Sequence, residues 1–247
     1  MSNNHRIGIF DSGVGGFSVL KEVKKNTDAN IIYYGDSQNA PYGNRSKEEI
    51  VSFIKNIISH LKLHNVTHFV SACNSMSVNT TEKLLEEVSV PNEIYMDMVT
   101  AVHKYLDLPK ESNVLIVGTQ VTITSGVYQK ILFNKVYGVE FFVAKDLAQA
   151  IEEGDQEIIK QNIKDILNYA NNVQATHILY ACTHYPLIHD EFENYQKENS
   201  WHGEFIDPAI YVGKAVKEWN LNGEKNISFQ TSKMTPNFKN YSFLFKN

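Results

Sequence analysis

The chain has 247 residues, 43% hydrophobic and 21% charged, enough apolar material to bury a core in one large globular domain or two ordinary ones. A formal net charge of −5, with no long Lys/Arg run, argues against a nucleic-acid partner. No apolar run approaches the roughly eighteen residues of a membrane span and no signal peptide precedes the first strand, so the expectation is a cytoplasmic protein with no membrane partner and reduced cysteines.

Ile7–Phe10 reads as a short strand, closed by the turn Asp11-Ser12-Gly13-Val14-Gly15-Gly16, which opens a helix reaching about Lys25. Ile31–Tyr34 reads as a second strand, and Gly35 to Gly43 carries too much Gly and Pro to be regular. Ser46 and Glu49 have capping-box spacing, after which Ile50, Phe53, Ile54, Ile57, Ile58 and Leu61 trace one helical face. His68–Ala72 reads as a strand and Met76–Val88 as one helix. Further on, Val114–Val117, Val139–Val143 and His177–Ala181 read as strands. Helices are expected at Ser125–Phe133, at Asp146–Glu153 (broken at Gly154), and from Pro186 to about Lys197. Between them, Asp155–Asn171 is expected as a helix with Ile158, Ile159, Ile163, Ile166 and Leu167 inward. A helix at Ala209–Trp219 and two short apolar runs, Ile227–Phe229 and Tyr241–Phe245, close the chain. This alternation predicts mostly parallel sheets with helices on both faces.

The two cysteines sit in two copies of one phrase. Thr67-His68-Phe69-Val70-Ser71-Ala72-Cys73-Asn74 recurs 109 positions later as Thr176-His177-Ile178-Leu179-Tyr180-Ala181-Cys182-Thr183. Ile7–Ser12 is echoed by Leu115–Thr119, and Ile31–Tyr34 by Val139–Phe142. The chain therefore reads as two similar α/β halves, each placing one thiol at the same address. The last segment has no counterpart at the end of the first half, so it is expected to return to the first domain. The expected domains are residues 1–97 with 207–247, and 98–206.

Both cysteines fall where a parallel strand ends and a helix begins, the edge at which open α/β sheets bind ligands. Free N–H groups and the positive helix end are expected to lower the thiol pKa. Two thiols facing each other across a pseudo-twofold axis suit proton removal from one face of a carbon and return from the other. Asp11 stands at the strand edge beside Cys73, and His184 two residues after Cys182; each also has a plain structural reading, as a helix cap and as a buried hydrogen-bonding ring. Ser12, Asn74, Ser75 and Thr183 are small polar residues on the same turns, apt for holding carboxylate oxygens. Pro41-Tyr42-Gly43 is a loop element at the same edge. No Lys or Arg falls within these motifs, and Arg45, just past the loop, is expected to face solvent. There is no C-x-x-C or H-E-x-x-H, so no metal site is expected. The turn Gly13-Val14-Gly15-Gly16 lacks the G-x-G-x-x-G spacing of a dinucleotide site. A one-base lyase or decarboxylase would need one cysteine only, and a non-catalytic binding module of the same fold would keep the pocket but could lose a thiol or its helper.

Asp11–Gly16, Pro41-Tyr42-Gly43, Ala72-Cys73-Asn74, Gly118-Thr119 with Thr122-Ile123, and Cys182-Thr183-His184-Tyr185-Pro186-Leu187 follow one another as in glutamate racemases. The tail segments Phe205-Ile206-Asp207 and Phe229-Gln230-Thr231-Ser232 are similar too. The chain thus resembles that family of the aspartate/glutamate racemase superfamily. The resemblance implies two similar flavodoxin-like α/β domains with the active site in the cleft between them, and no cofactor. It implies Cys73 and Cys182 as the acid/base pair interconverting L- and D-glutamate, assisted by Asp11 and His184. Asp11, Ser12, Pro41, Tyr42, Gly43, Asn74, Ser75, Thr183 and His184 would bind the substrate. It further implies a product, D-glutamate, used in peptidoglycan synthesis, and leaves room for a homodimer. Aspartate or another amino acid is the alternative substrate. The sequence departs from the family at Ser75, at Met98-Val99-Thr100-Ala101 and at Ala144-Lys145-Asp146-Leu147.

Overall fold

The computed structural model describes residues 5–198 and 200–245. In chain order, β1 (Arg6–Asp11), α1 (Phe17–Asn26) and β2 (Asn30–Gly35) are followed by a one-turn 3-10 helix at Tyr42–Asn44 and by α2 (Lys47–Leu63). Next come β3 (His68–Ser71), α3 (Asn74–Ser77), α4 (Glu82–Glu87), β4 (Tyr95–Asp97) and α5 (Met98–Tyr105). The second half runs β5 (Asn113–Gly118), α6 (Gln120–Thr124), α7 (Val127–Leu132), β6 (Gly138–Val143), α8 (Leu147–Glu153) and α9 (Gln156–Asn172). It continues with β7 (His177–Ala181), a 3-10 turn at Tyr185–Ile188, α10 (His189–Lys197) and β8 (Glu204–Ile206). The chain closes with α11 (Ala209–Glu218), β9 (Ile227–Thr231) and α12 (Pro236–Leu244).

Two parallel sheets result, ordered β4-β3-β1-β2-β9 and β6-β5-β7-β8. Read from its far edge, the second is β8-β7-β5-β6, which copies β4-β3-β1-β2 strand for strand. The sequence repeat is therefore a repeat of topology, and Cys73 and Cys182 follow equivalent strands. The Thr-His pair of the repeat has a structural task at the opposite end. Thr67 Oγ1 accepts from Arg6 N (3.1 Å) and Thr176 Oγ1 from Asn113 N (2.9 Å), clasping β3 to β1 and β7 to β5.

Each sheet is covered on both faces, so its strands are apolar almost throughout. Ile7, Ile9 and Tyr33 pack against α1 and α11. Phe10, Ile32 and Phe69 pack against Ile50, Ile54, Ile57, Ile58 and Leu61 of α2, each side chain contributing about 1.5–3 kcal/mol by burial. Ser46 and Glu49 close the anticipated capping box of α2. Around the second sheet, α8 and α9 cover one face, and α5 and α7 the other.

Several local expectations are corrected. The single helix at 76–88 is two, because side chains divert the backbone: Ser77 Oγ donates to Cys73 O, Asn79 Nδ2 to Ser75 O and Thr80 Oγ1 to Met76 O. Thr81 then caps a new helix through Leu84 N. Ser125–Phe133 starts later, at Val127, because Gly126 takes φ +66°, and a separate turn, α6, capped by Thr119, precedes it. Ile158 is 39% exposed, so the buried face of α9 begins at Ile159. The Tyr241–Phe245 run belongs largely to α12. Strands β4 and β8 have three residues each, too short to leave a pattern.

Candidate active site

The carboxyl ends of the two sheets open onto one cavity of about 400 Å³, and both Cys73 and Cys182 line it. Each thiol is 6% exposed and free. Cys73 precedes α3 and its sulfur lies 3.9 Å from Ser12 Oγ. Cys182 follows β7, and its sulfur lies 3.7 Å from His184 Nδ1. Ser12, Pro41, Tyr42 and Gly43 also line the cavity, as do Asn74, Ser75, Thr183 and His184. Asp11 does not reach the wall. It is fully buried beneath the turn, where Oδ1 accepts from Gly13 N (2.8 Å) and Oδ2 from the Thr183 hydroxyl of the other half (3.1 Å).

The glycines of the Asp11–Gly16 turn are required by what presses on them. A Cβ at Gly15 would stand 2.5 Å from His184 Nδ1 and 2.6 Å from Thr183 Oγ1. The turn is bare so that the two halves can touch. It also meets Glu152, at the end of α8, whose Oε1 accepts from Val14 N (2.8 Å) and contacts His184 Nε2 (2.8 Å). A chain of contacts thus runs from the Cys182 sulfur through the His184 ring to the Glu152 carboxylate. Glu152 was missed in the sequence because it sits in an ordinary helical stretch, one of two adjacent glutamates before Gly154. Its partners are remote in the chain, and only folding identifies them.

Burial dominates the electrostatics. It pushes the Cys73 thiol up to about 12, helped by the nearby Asp11 carboxylate and opposed by the Met76 N–H. The expectation that the helix start would lower this thiol is therefore corrected: α3 has one turn, and desolvation outweighs its N–H groups. Burial raises Asp11 as well, against the pull of His184. For His184, burial opposes the charged ring, yet contacts with Cys182 and Glu152 hold its pKa well above the ordinary value. Glu152 is correspondingly lowered: burial raises it, and the His184 hydrogen bond and charge more than offset that.

Donors line the rest of the wall. Asn74 Oδ1 accepts from the buried Tyr128 hydroxyl (2.5 Å), and Asn74 Nδ2 is buried with no hydrogen-bond partner among the described residues. Ser75 Oγ and Thr119 Oγ1 are 3.1 Å apart across the cleft. Tyr42 is held by its hydroxyl donating to Asp36 Oδ2 (2.5 Å). Arg45 is spent on Glu49 (3.3 Å) and the Asn39 carbonyl (3.1 Å) and stays off the cavity wall. The wall does contain a cation, however: Lys145, in the divergent segment between β6 and α8. Among the described residues, no group of three or more His, Cys, Asp or Glu is placed to hold a metal ion, and no helix is long and apolar enough to cross a membrane.

Residues 7–209 match the Asp/Glu/hydantoin racemase family. "Glutamate racemase 3" of Caldanaerobacter subterraneus is 32% identical over 247 aligned residues, covering 94% of this chain and 87% of the relative. The glutamate racemase of Aquifex aeolicus is 36% identical over 222 residues, covering 88% of this chain and 84% of the relative. In structure, the glutamate racemase of Francisella tularensis, solved in complex with D-glutamate, superposes with a TM-score of 0.82 at 25% identity, covering 98% of this chain and 93% of that one. With 203 consecutive residues matched (7 through 209), the chain belongs to the Asp/Glu/hydantoin racemase family.

Proposed function

We propose that this protein interconverts L- and D-glutamate without a cofactor, using Cys73 and Cys182 as opposed acid and base. The observation that carries the reading is that two thiols, set after equivalent strands of a repeated topology, line one cavity. One sulfur, as thiolate, takes the α-proton; the electron pair left on carbon is delocalised into the α-carboxylate. The opposite S–H delivers a proton to the other face, and the two sulfurs end with their protonation states exchanged. Ser12, Asn74, Ser75 and Thr183, with the Tyr42-Gly43 loop, hold the substrate, and its carboxylates are met by neutral donors in a desolvated site. His184 serves Cys182 with a protonated ring held by Glu152. Asp11 serves Cys73 and, through Thr183, keeps the second half in register.

The names of the relatives support glutamate as substrate. We also propose that the chain divides into residues 1–97 with 207–247 and residues 98–206, because β9 pairs with β2 and α11 packs on α1. The product would supply peptidoglycan synthesis. The test is a circular-dichroism racemisation assay in D2O without pyridoxal phosphate, run across D- and L-amino acids. Glutamate should racemise fastest and gain deuterium at the α-carbon. Faster turnover of aspartate would overturn the substrate and leave the chemistry; no racemisation of any amino acid would overturn both.

A further inference from the structure

The last helix of the chain reaches back to the candidate site. Thr235 caps α12 by accepting from Phe238 N (3.1 Å). Phe238 is fully buried against Phe17 and Tyr33, with ring centroids 5.6 and 6.0 Å away. It also presses on Gly35 at the end of β2, where a Cβ would stand 2.6 Å from its ring. The start of α12 is thus rooted in the core of the first sheet. Asn237, one residue before that anchor, is half-buried, and its Nδ2 donates to the backbone carbonyl of Glu152 on α8. That carbonyl needs a partner from outside its helix. α8 has seven residues, too few to be stable alone, and Gly154 at φ +76° ends it, so Glu152 O is among the last four carbonyls that no N–H of the helix satisfies. Gly154 N and Asp155 N both turn back to Ala150 O instead.

We infer that Asn237 is a positioning residue for the candidate site: by capping the end of α8 from the last helix, it keeps the Glu152 carboxylate on the His184 ring. The consequence for turnover rests on the proposed racemase reading; the contact itself does not. Glu152 is held twice, its backbone by Asn237 and its carboxylate by Val14 N and His184 Nε2, both at 2.8 Å. Other titratable groups that its charge reaches include Asp11, Tyr33 and Tyr241. Its negative charge disfavours ionisation of all three, so His184 is the neighbour whose charged form it favours. Helix ends fray, and Glu152 is the last residue but one of a short helix. A shift of about 1 Å there takes the 2.8 Å contact with His184 outside hydrogen-bond range. The tail therefore does more than add β9 to the first sheet: it fixes, from that sheet's core, the residue that holds the histidine beside Cys182.

The test compares wild type with Asn237→Ala and Asn237→Gln, each alone and in the Glu152→Gln background. His184 is titrated by NMR on ring-labelled protein, with His184→Gln to assign its signal, which requires no turnover. Racemisation of glutamate is followed by circular dichroism as a function of pH. Asn237→Ala should lower the His184 pKa and move the alkaline limb of kcat/KM to lower pH. Its kcat should fall roughly three- to tenfold with KM within about twofold, as for a group that acts through another. Asn237→Gln keeps an amide donor and should recover most of both effects. In Glu152→Gln the carboxylate is already gone, so Asn237→Ala should alter neither the titration nor the pH limb further, whereas a general loosening of the fold would add to them. An unchanged His184 titration in Asn237→Ala, or a shift of equal size in the Glu152→Gln background, overturns the inference. A wild type that racemises no amino acid, but whose His184 titration still depends on Asn237, overturns the proposed function and leaves this role of Asn237 standing.

Discussion

Replacing Glu152 by Gln removes one charge and little else, since a glutamine carbonyl can still accept from Val14 N. In the native site that carboxylate is 23% exposed and lies 2.8 Å from His184 Nε2. A hydrogen bond to a charged group contributes about 1.5–3 kcal/mol and a neutral one about 0.5–1.5, so the loss is roughly 1–1.5 kcal/mol. If the protonated ring supports Cys182 in the transition state, kcat/KM should fall about tenfold. The pH dependence is the sharper readout. Burial alone would lower the His184 pKa; its contacts with Cys182 and Glu152 hold it above the unfolded value of 6.5. The stabilisation tied to the protonated ring is therefore full below about pH 6.5 and is lost as pH rises through the higher folded value. Glu152, lowered on folding, sets the opposite limit: its share is present above its unfolded value of 4.5 and is lost as pH falls through the folded one. In Glu152→Gln the alkaline limb of kcat/KM should move to lower pH, as should the alkaline loss of thermal stability. A variant with the wild-type pH profile and kcat/KM within twofold would refute the assignment of Glu152 to His184.

Cys73→Ala and Cys182→Ala should each abolish racemisation, measured by circular dichroism, because each leaves one face without a proton carrier; near wild-type activity in either would end the two-thiol mechanism. Alkylation of Cys73 by iodoacetamide, followed by mass spectrometry, should be slow at pH 8 and keep accelerating towards pH 12, since burial and Asp11 push that thiol up to about 12. Gly15→Ala places a methyl 2.5 Å from His184 Nδ1, so the ring must shift. Misplacement of that order costs about a hundredfold in kcat, and a loss under threefold would show the turn to be looser than described. Tyr128→Phe strips the donor from Asn74 Oδ1, which should lower stability by about 1–3 kcal/mol in denaturant titration and raise KM as the amide loses its fixed orientation.

The strands and the thiol addresses were legible because both rest on local periodicity and on an internal repeat. Ile7–Phe10, His68–Ala72 and His177–Ala181 show their register in runs of apolar residues, and the repeat pairs them without reference to any neighbour. Helix boundaries failed where side chains compete with the backbone, as at Ser77-Val78-Asn79-Thr80-Thr81. That competition is decided by which rotamers reach a carbonyl, and residue type alone does not settle it. The functional residues split the same way. Those in the strand-end turns announced themselves by position. Glu152 and Tyr128 lie on helices with ordinary composition and gain meaning only when the second sheet faces the first. From sequence alone the Gly-rich turn reads as a helix opening. The presence of His184 and Glu152 against Gly13 and Gly15 explains why the glycines are there.

The repeat gives two identical nucleophilic atoms, and the fold gives them unlike neighbours. Cys73 lies beside a buried carboxylate, Asp11, that disfavours its thiolate. Cys182 lies beside a ring whose protonated form is favoured by Glu152. A mechanism run by symmetric groups would have equal kinetic constants in both directions by construction. On the proposed two-thiol mechanism these unlike neighbours remove that equality, and the two enantiomers meet differently prepared faces of the site. Thermodynamics still limits what that inequality can do. Enantiomers have equal free energy in water, so the equilibrium constant is one and kcat/KM for L→D must equal kcat/KM for D→L. The asymmetry of Asp11 and His184 is free to appear only as matched differences in kcat and in KM. Glu152→Gln, which lessens the bias on one side alone, should change the ratio of the two kcat values and the ratio of the two KM values by the same factor.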